Sequence, residues 1–388
     1  MSAFRDEIKG WLQKACPETI RGRNFDFAGG HKVPIENADF QSWFDACAER
    51  GYTVPTWPVE YGGSGLSAAD ARILREEMGR IKAPTPLAGM GTAMIGPTLL
   101  EHGTPAQKQE HLPKIARGEI RWCQGYSEPG AGSDLAALQT KAVDQGDHYL
   151  INGSKIWTSG ADQADWIFCL VRTDSKAPKH EGISFVLFSM DSPGVSVEPI
   201  QLINGSSPFC QCFFVDVKAE KSNLIGQENR GWTIAKRLLQ HERSSISSGG
   251  GGIGAGAALP DLALRYGNTA QAKLTDPQTR AEVTSIEIDN RAFGLTLRRA
   301  AEENHSGGTQ TFATSMFKYY SSELYRRRME SSMSLMGTQA TGWEGDGFSN
   351  EELAVTRGWL FGKAMTIAGG SSEVQLNIIA KRVLSLPD

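Results

Sequence analysis

The chain has 388 residues, 40% hydrophobic and 22% charged, with a formal net charge of −4. These are ordinary globular values for a length that exceeds one compact core, so two or three domains are expected. The mild acidity and the lack of a basic run argue against nucleic-acid binding, and the longest apolar runs, such as Trp166 to Val171, fall far short of the ~20 residues that span a bilayer.

In chain order, the N-terminal stretch Met1 to Leu12 mixes Arg5, Asp6, Glu7 and Lys9. It fits neither a secretory signal nor an acid-poor transit peptide, so a cytoplasmic location is expected. Residues 1–120 read as helical. Phe40 to Glu49, Ala68 to Arg80 and Ala106 to Ala116 carry apolar residues at helical spacing, with Gly and Pro breaks such as Thr53 to Gly65 between them. Residues 121–229 switch to strands. Tyr149-Leu150-Ile151, Asn152-Gly153 and Lys155-Ile156-Trp157 form a hairpin signature, because Asn-Gly suits a tight type I′ turn. Trp166 to Val171, Ile183 to Phe188, Val195 to Ile200 and Cys210 to Val217 are further runs of strand length. Residues 230–388 return to long helices.

Six cysteines show no CxxC pair and no regular framework, and seven histidines lack an i, i+4 pair. Neither disulfides nor a metal is expected. Cys210 and Cys212 would share one strand face as packed thiols. In the run 248–258, Gly249, Gly251 and Gly254 satisfy GxGxxG, but a dinucleotide fingerprint follows a strand, and this run follows a helix. Small residues allowing helices to approach closely are the better reading.

The most informative stretch is Gly125-Tyr-Ser-Glu-Pro-Gly-Ala-Gly-Ser133-Asp134, a strand end leading into a turn rich in backbone donors and hydroxyls. The second is Lys155-Ile156-Trp157-Thr158-Ser159. Two residues apart on a strand, Trp157 and Ser159 face one side, so an indole could cover a flat ring while a hydroxyl bonds its polar edge, although a core Trp is the plainer alternative. The third is Ala368-Gly369-Gly370-Ser371-Ser372-Glu373-Val374-Gln375. With Trp57-Pro58 and Tyr61-Gly62-Gly63, and nearly to the end of the chain, these segments resemble the acyl-CoA dehydrogenase flavoprotein family, in the branch that carries its catalytic glutamate on the helix before the Gly-rich run.

The resemblance implies an α+β fold: an N-terminal helical domain (1–120), a middle β-barrel or sandwich-like domain (121–229) and a C-terminal four-helix bundle (230–388). It implies FAD as cofactor, an acyl-CoA as substrate, electron-transferring flavoprotein as acceptor, and a homodimer, homotetramer or heterotetramer. Gln124, Tyr126, Ser127, Ser133, Trp157, Ser159, Ser371 and Glu373 would contact the cofactor, and Ser133 would also lie near the pantetheine or pyrophosphate of CoA. Many relatives carry the catalytic glutamate where this chain has Gly369. Here helical spacing puts Glu242 on the apolar side of its helix, where desolvation would raise its pKa, and Glu242-Arg243 matches the branch that carries its base on this helix. Arg243 would contact the CoA phosphates. The Gly369 N–H would keep its role as a donor to the thioester carbonyl, while the missing side chain favours branched, cyclic, dicarboxylic or otherwise bulky substrates.

Two departures concern the flavin. The Arg-x-x-Phe-Gly segment of relatives is replaced over Leu264 to Gln271, its likeness Arg291-Ala292-Phe293-Gly294 falls inside an expected helix, and a later glycine-rich turn reads Met336-Gly337-Thr338-Gln339. The chain also resembles the large subunits of dicarboxylyl-CoA dehydrogenases, which implies work with a second, different subunit. The alternatives left open are an oxidase or desulfinase of the same fold, and a non-catalytic partner subunit.

Overall fold

The structure, a computed structural model, describes residues 3–247, 258–271, 273–305 and 313–387; for 240–247, 301, 302, 304, 305 and 313 it describes the backbone alone. The chain forms two compact units, Met1–Ile200 with Pro208–Leu238, and Gln201–Ser207 with Leu239–Asp388.

The first unit opens with helices α1 (Ala3–Ala15), α2 (Ala38–Glu49), α3 (Ala68–Arg80), α4 (Gly96–His102) and α5 (Pro105–Ala116). Asn37 caps α2 by accepting from Phe40 N, and Thr104 with Gln107 makes a reciprocal capping box on α5. The apolar spacing that predicted α2 and α3 is spent on one core of Ile8, Leu12, Phe40, Trp43 and Leu74. Phe25 stacks on Phe40 with centroids 4.2 Å apart. Beyond α5, the Gln107 amide donates to the carbonyls of Ser222 and Leu224 at 2.6 and 2.8 Å, tying the helices to the sheet.

The sheet comprises β1 (Trp122–Gly125), β2 (Lys141–Asp144), β3 (His148–Ser159), β4 (Trp166–Arg172), β5 (Ile183–Ser189), β6 (Val195–Ile200), β7 (Phe209–Glu220) and β8 (Leu224–Ile225). Its order is β6-β7-β3-β2-β4-β5-β8, with β1 parallel to β4. Phe188 of β5 meets Phe214 of β7 edge to face at 5.2 Å, although three strands lie between them in the order. The sheet therefore curls over one core, which also holds Cys123, Tyr149, Ile151, Cys169, Cys210, Cys212 and Val217. Cys210 and Cys212 are packed thiols, as expected from their spacing.

The hairpin expected at Asn152-Gly153 does not exist. His148–Ser159 is one continuous strand, and the turn before it lies at Gln145–Asp147, where Gly146 has φ 97°. Between Ile151 and Gly153 the pairing with β7 slips by one residue, the extra residue being on β7, where Asp216 has φ 52°. Asn152 spans that bulge. Its amide donates to the Asp216 carboxylate at 2.9 Å and its oxygen accepts from Asp216 N at 3.0 Å. Gly153, at φ 148°, passes so near β2 that a Cβ would sit 2.7 Å from Thr140 Cα. Asn-Gly thus serves a bulge and a close approach.

Helix α6 (Gly231–Ser247) begins in the first unit and ends in the second, which continues with α7 (Leu259–Tyr266), a two-residue pairing of β9 (Thr269–Ala270) with β10 (Lys273–Leu274), α8 (Pro277–His305), α9 (Ala313–Met336), α10 (Asn350–Gly362) and α11 (Ser372–Ile378). Leu259 and Ala263 of α7 pack with Val283 and Ile286 of α8 and Leu324 of α9. Leu262, on the other side of α7, packs with Met329 and Met336 of α9 and Val355 of α10. Four helices thereby share two adjoining cores, and Arg291 to Gly294 lies within α8 as expected. The GxGxxG glycines Gly249, Gly251 and Gly254 lie outside the described residues. No helix among the described residues is long and apolar enough to cross a membrane.

Candidate active site

The turn after β1 is built from the inside outward. The Tyr126 ring is buried edge to face against Phe168 and Phe185, so this residue offers the surface its backbone rather than its ring. Gln124 and Ser127 are half-buried, and Glu128 closes the turn by exchanging backbone hydrogen bonds with Ala131 at 3.0 and 2.9 Å. Gly130, Gly132 and Ser133 are exposed. Neither glycine has positive φ, and a Cβ on either would meet nothing within 4 Å. Turn geometry therefore does not require glycine here. A backbone left bare without steric need suits the close approach of a bound group.

Strand β3 holds that turn from below. Ile156 N donates to Ser127 O at 2.8 Å. Lys155, with its side chain wholly buried, donates to Tyr126 O at 3.0 Å and to Glu128 Oε1 at 2.8 Å. The same carboxylate accepts from Gln139 N at 2.6 Å and Thr140 N at 2.9 Å. Burial alone would raise the Glu128 carboxyl, but the Lys155 charge and these hydrogen bonds outweigh it and hold the group ionised, below the usual range. Both residues lay inside the sequence motifs, yet sequence reasoning passed them over. The available signal was a lysine flanked by strand-formers at an inward position.

Trp157 is not a core residue. A second register slip, between Lys155 and Thr158, puts the extra residue on β3, and Trp157 there has φ 61°. Its indole is 53% exposed and touches Phe209 edge to face at 6.2 Å. Left-handed backbone is unusual for a bulky side chain, and such strain collects at functional sites. Lys155 and Thr158 point inward and Ser159 is half-buried, and an exposed flat apolar ring on this strand fits one face of a planar heteroaromatic group.

In the second unit, Gly369 and Gly370 both lie in the left-handed region, with φ 67° and 92°. Gln375 Nε2 donates to Gly369 O at 3.0 Å, while the Gly369 N–H has no hydrogen-bond partner among the described residues. Ser371 caps α11 by accepting from Val374 N. Glu373 is exposed in the first helical turn, its carboxyl lowered by hydrogen bonds from its own N–H and from Ser371. Lys318 of α9, also missed from sequence, is buried with its Nζ unpartnered among the described residues, and burial lowers its pKa against the pull of Glu323 and Glu373. Glu242 and Arg243 stand in α6, and their side chains lie outside the described residues.

Three family models match in succession: acyl-CoA dehydrogenase N-terminal domain over residues 2–119, middle domain over 123–217 and C-terminal domain over 229–384. The chain belongs to the acyl-CoA dehydrogenase family. It is 36% identical to acyl-CoA dehydrogenase IpdE1 of Mycobacterium tuberculosis over 99% of this chain and 97% of that one. It is 30% identical to glutaryl-CoA dehydrogenase of Desulfococcus multivorans over 74% and 76%. Among solved structures, the Tcur3481-Tcur3483 steroid ACAD superposes with a TM-score of 0.78 at 29% identity, covering 99% of this chain and 96% of that one. The ChsE4-ChsE5 complex from Mycobacterium tuberculosis does so at 0.74 and 27%, covering 99% and 97%. As an acyl-CoA dehydrogenase the chain is an FAD-dependent oxidoreductase acting on an acyl-CoA, and its fold is the family's helical, sheet and helical arrangement.

Proposed function

We propose that this acyl-CoA dehydrogenase oxidises the Cα–Cβ bond of a branched, cyclic, dicarboxylic or otherwise bulky acyl-CoA, with Glu242 as the base. The observation carrying this reading is the Gly369 turn: no carboxylate stands there, and the N–H is unpartnered among the described residues. Similarity to IpdE1 and to a steroid ACAD supports a bulky acyl group.

Glu242 withdraws the alpha proton. The Gly369 N–H donates to the thioester carbonyl as negative charge gathers there, and Arg243 and Ser133 hold the CoA moiety. Gln124, Ser127, Trp157, Ser159, Ser371, Glu373 and the backbone of Tyr126 hold FAD, with Trp157 covering the ring. When bound, FAD supplies the acceptor for the hydride leaving the beta carbon. Electron-transferring flavoprotein then reoxidises the enzyme. A homodimer, homotetramer or heterotetramer is the working assembly, the last supported by likeness to two-protein complexes.

The test is anaerobic titration with straight, branched, cyclic and dicarboxylic acyl-CoAs, following loss of the flavin band, beside Glu242→Gln. Bleaching by a bulky class that vanishes in the variant supports the reading. Bleaching confined to short straight chains, or retained in Glu242→Gln, overturns it.

A further inference from the structure

We infer that the buried Lys155–Glu128 pair is a positioning device that sets the flavin-facing turn and strand in register, a role that rests on the flavin site proposed above. One ammonium group reaches both the Tyr126 carbonyl and the Glu128 carboxylate, at 3.0 and 2.8 Å. The carboxylate in turn fixes the start of β2 through the N–H groups of Gln139 and Thr140, and Thr140 Oγ1 returns to Ser154 O at 3.2 Å. The circuit runs from turn to β2 to β3 and closes on the residue beside Lys155. Immediately outside it lie Ser127 on the turn and Trp157 on the strand. Ser127 is joined to the circuit by Ile156 N, and Trp157 is thrown outward by the bulge that begins after Lys155.

A pair buried this deeply is a poor means of gaining stability, because desolvation consumes most of the attraction and an apolar pair of similar volume often does as well. Geometry is what it supplies that such a pair would not. Lys155 ties two segments distant in sequence at two points, so the Tyr126 carbonyl and the Glu128 carboxylate point inward to it and the turn's outer backbone and Ser127 are left facing the bound ring. Removing the pair lets the turn 126–133 relax against β3 while the sandwich core beneath, built from Cys169, Cys212 and Ile151, stays filled.

The experiment compares the unaltered protein, Lys155→Met with Glu128→Gln together, and Glu128→Asp, which keeps the charge but shortens its reach. For each, apoprotein melting and FAD affinity are measured, the latter by quenching of flavin fluorescence, together with the resolution of the bound flavin's visible bands. The expected result is melting within a few degrees of the unaltered protein, at least tenfold weaker FAD binding in the double variant, a severalfold loss in Glu128→Asp, and a blurred flavin spectrum. Should the double variant fail to fold, Glu128→Asp decides alone. FAD affinity and spectrum unchanged in whichever variants fold overturn the inference and leave the flavin site standing. No FAD binding by the unaltered apoprotein overturns the flavin site, and this inference with it.

Discussion

His111 should give the protein an acid-sensitive helical face. It lies on α5 with 1% exposure, edge to face with Trp122 at 5.3 Å and Trp166 at 4.8 Å, and neither ring nitrogen has a partner among the described residues. Burial pushes its pKa down to about 4, Glu110 opposing only weakly. In the unfolded chain the imidazole titrates near about 6.5, so on acidification the unfolded state takes the proton first. The contribution to stability is complete above about pH 6.5, declines as pH falls, and is exhausted below the folded pKa. Between about pH 7.5 and 4.5 the two titrations give a loss of about 2.5 kcal/mol, at 1.36 kcal/mol per unit. His111→Phe keeps both edge contacts and removes the titration. Urea unfolding of both proteins across this range isolates the effect, because every other titrating group cancels in the difference between the curves. The variant should gain about 2.5 kcal/mol on the unaltered protein at the acid end. Parallel curves would refute the assignment, since they would mean that His111 takes up its proton in the fold as readily as in the unfolded chain.

Two further substitutions probe the strand that carries the site. Gly153→Ala places a Cβ 2.7 Å from Thr140 Cα at a φ of 148°, and should cost at least about 2 kcal/mol in denaturant unfolding. A cost below about 0.5 kcal/mol would mean that the backbone there is ordinary. Trp157→Ala removes a half-exposed ring with one edge contact, so stability should change by less than about 1.5 kcal/mol while FAD affinity falls tenfold or more. Titration of the apoprotein with FAD reads this directly, and an unchanged dissociation constant would remove Trp157 from the site.

The apolar pattern was enough to locate α2, α3, α5, β4, β5, β6 and β7, because the helices and β7 each bury one stripe, β4 and β5 are apolar throughout and buried on both faces, and β6 alternates half-buried with exposed residues over most of its length. They misled where a bulge breaks the alternation. Asn152-Gly153 has the composition of a turn, but whether such a pair turns the chain or bridges a slip depends on what stands opposite, and Asp216 is 64 residues away in sequence. Trp157 was legible as a surface residue only through its motif; its left-handed φ comes from a register that pairing with β7 imposes. Lys155 and Glu128 were hidden for the opposite reason. Charged residues in a turn and a strand read as solvated until the fold buries them against each other.

All six thiols are shut away: Cys16 and Cys47 in the helical core, and Cys123, Cys169, Cys210 and Cys212 inside the curled sheet. Burial raises their pKa values, Cys169 and Cys212 to about 12, so hardly any reactive thiolate exists in the folded chain. An alkylating reagent can then mark a cysteine only when its layer opens. Two layers with separate sets of thiols make the protein its own recorder of which part comes apart first, written as mass added to one peptide before the other.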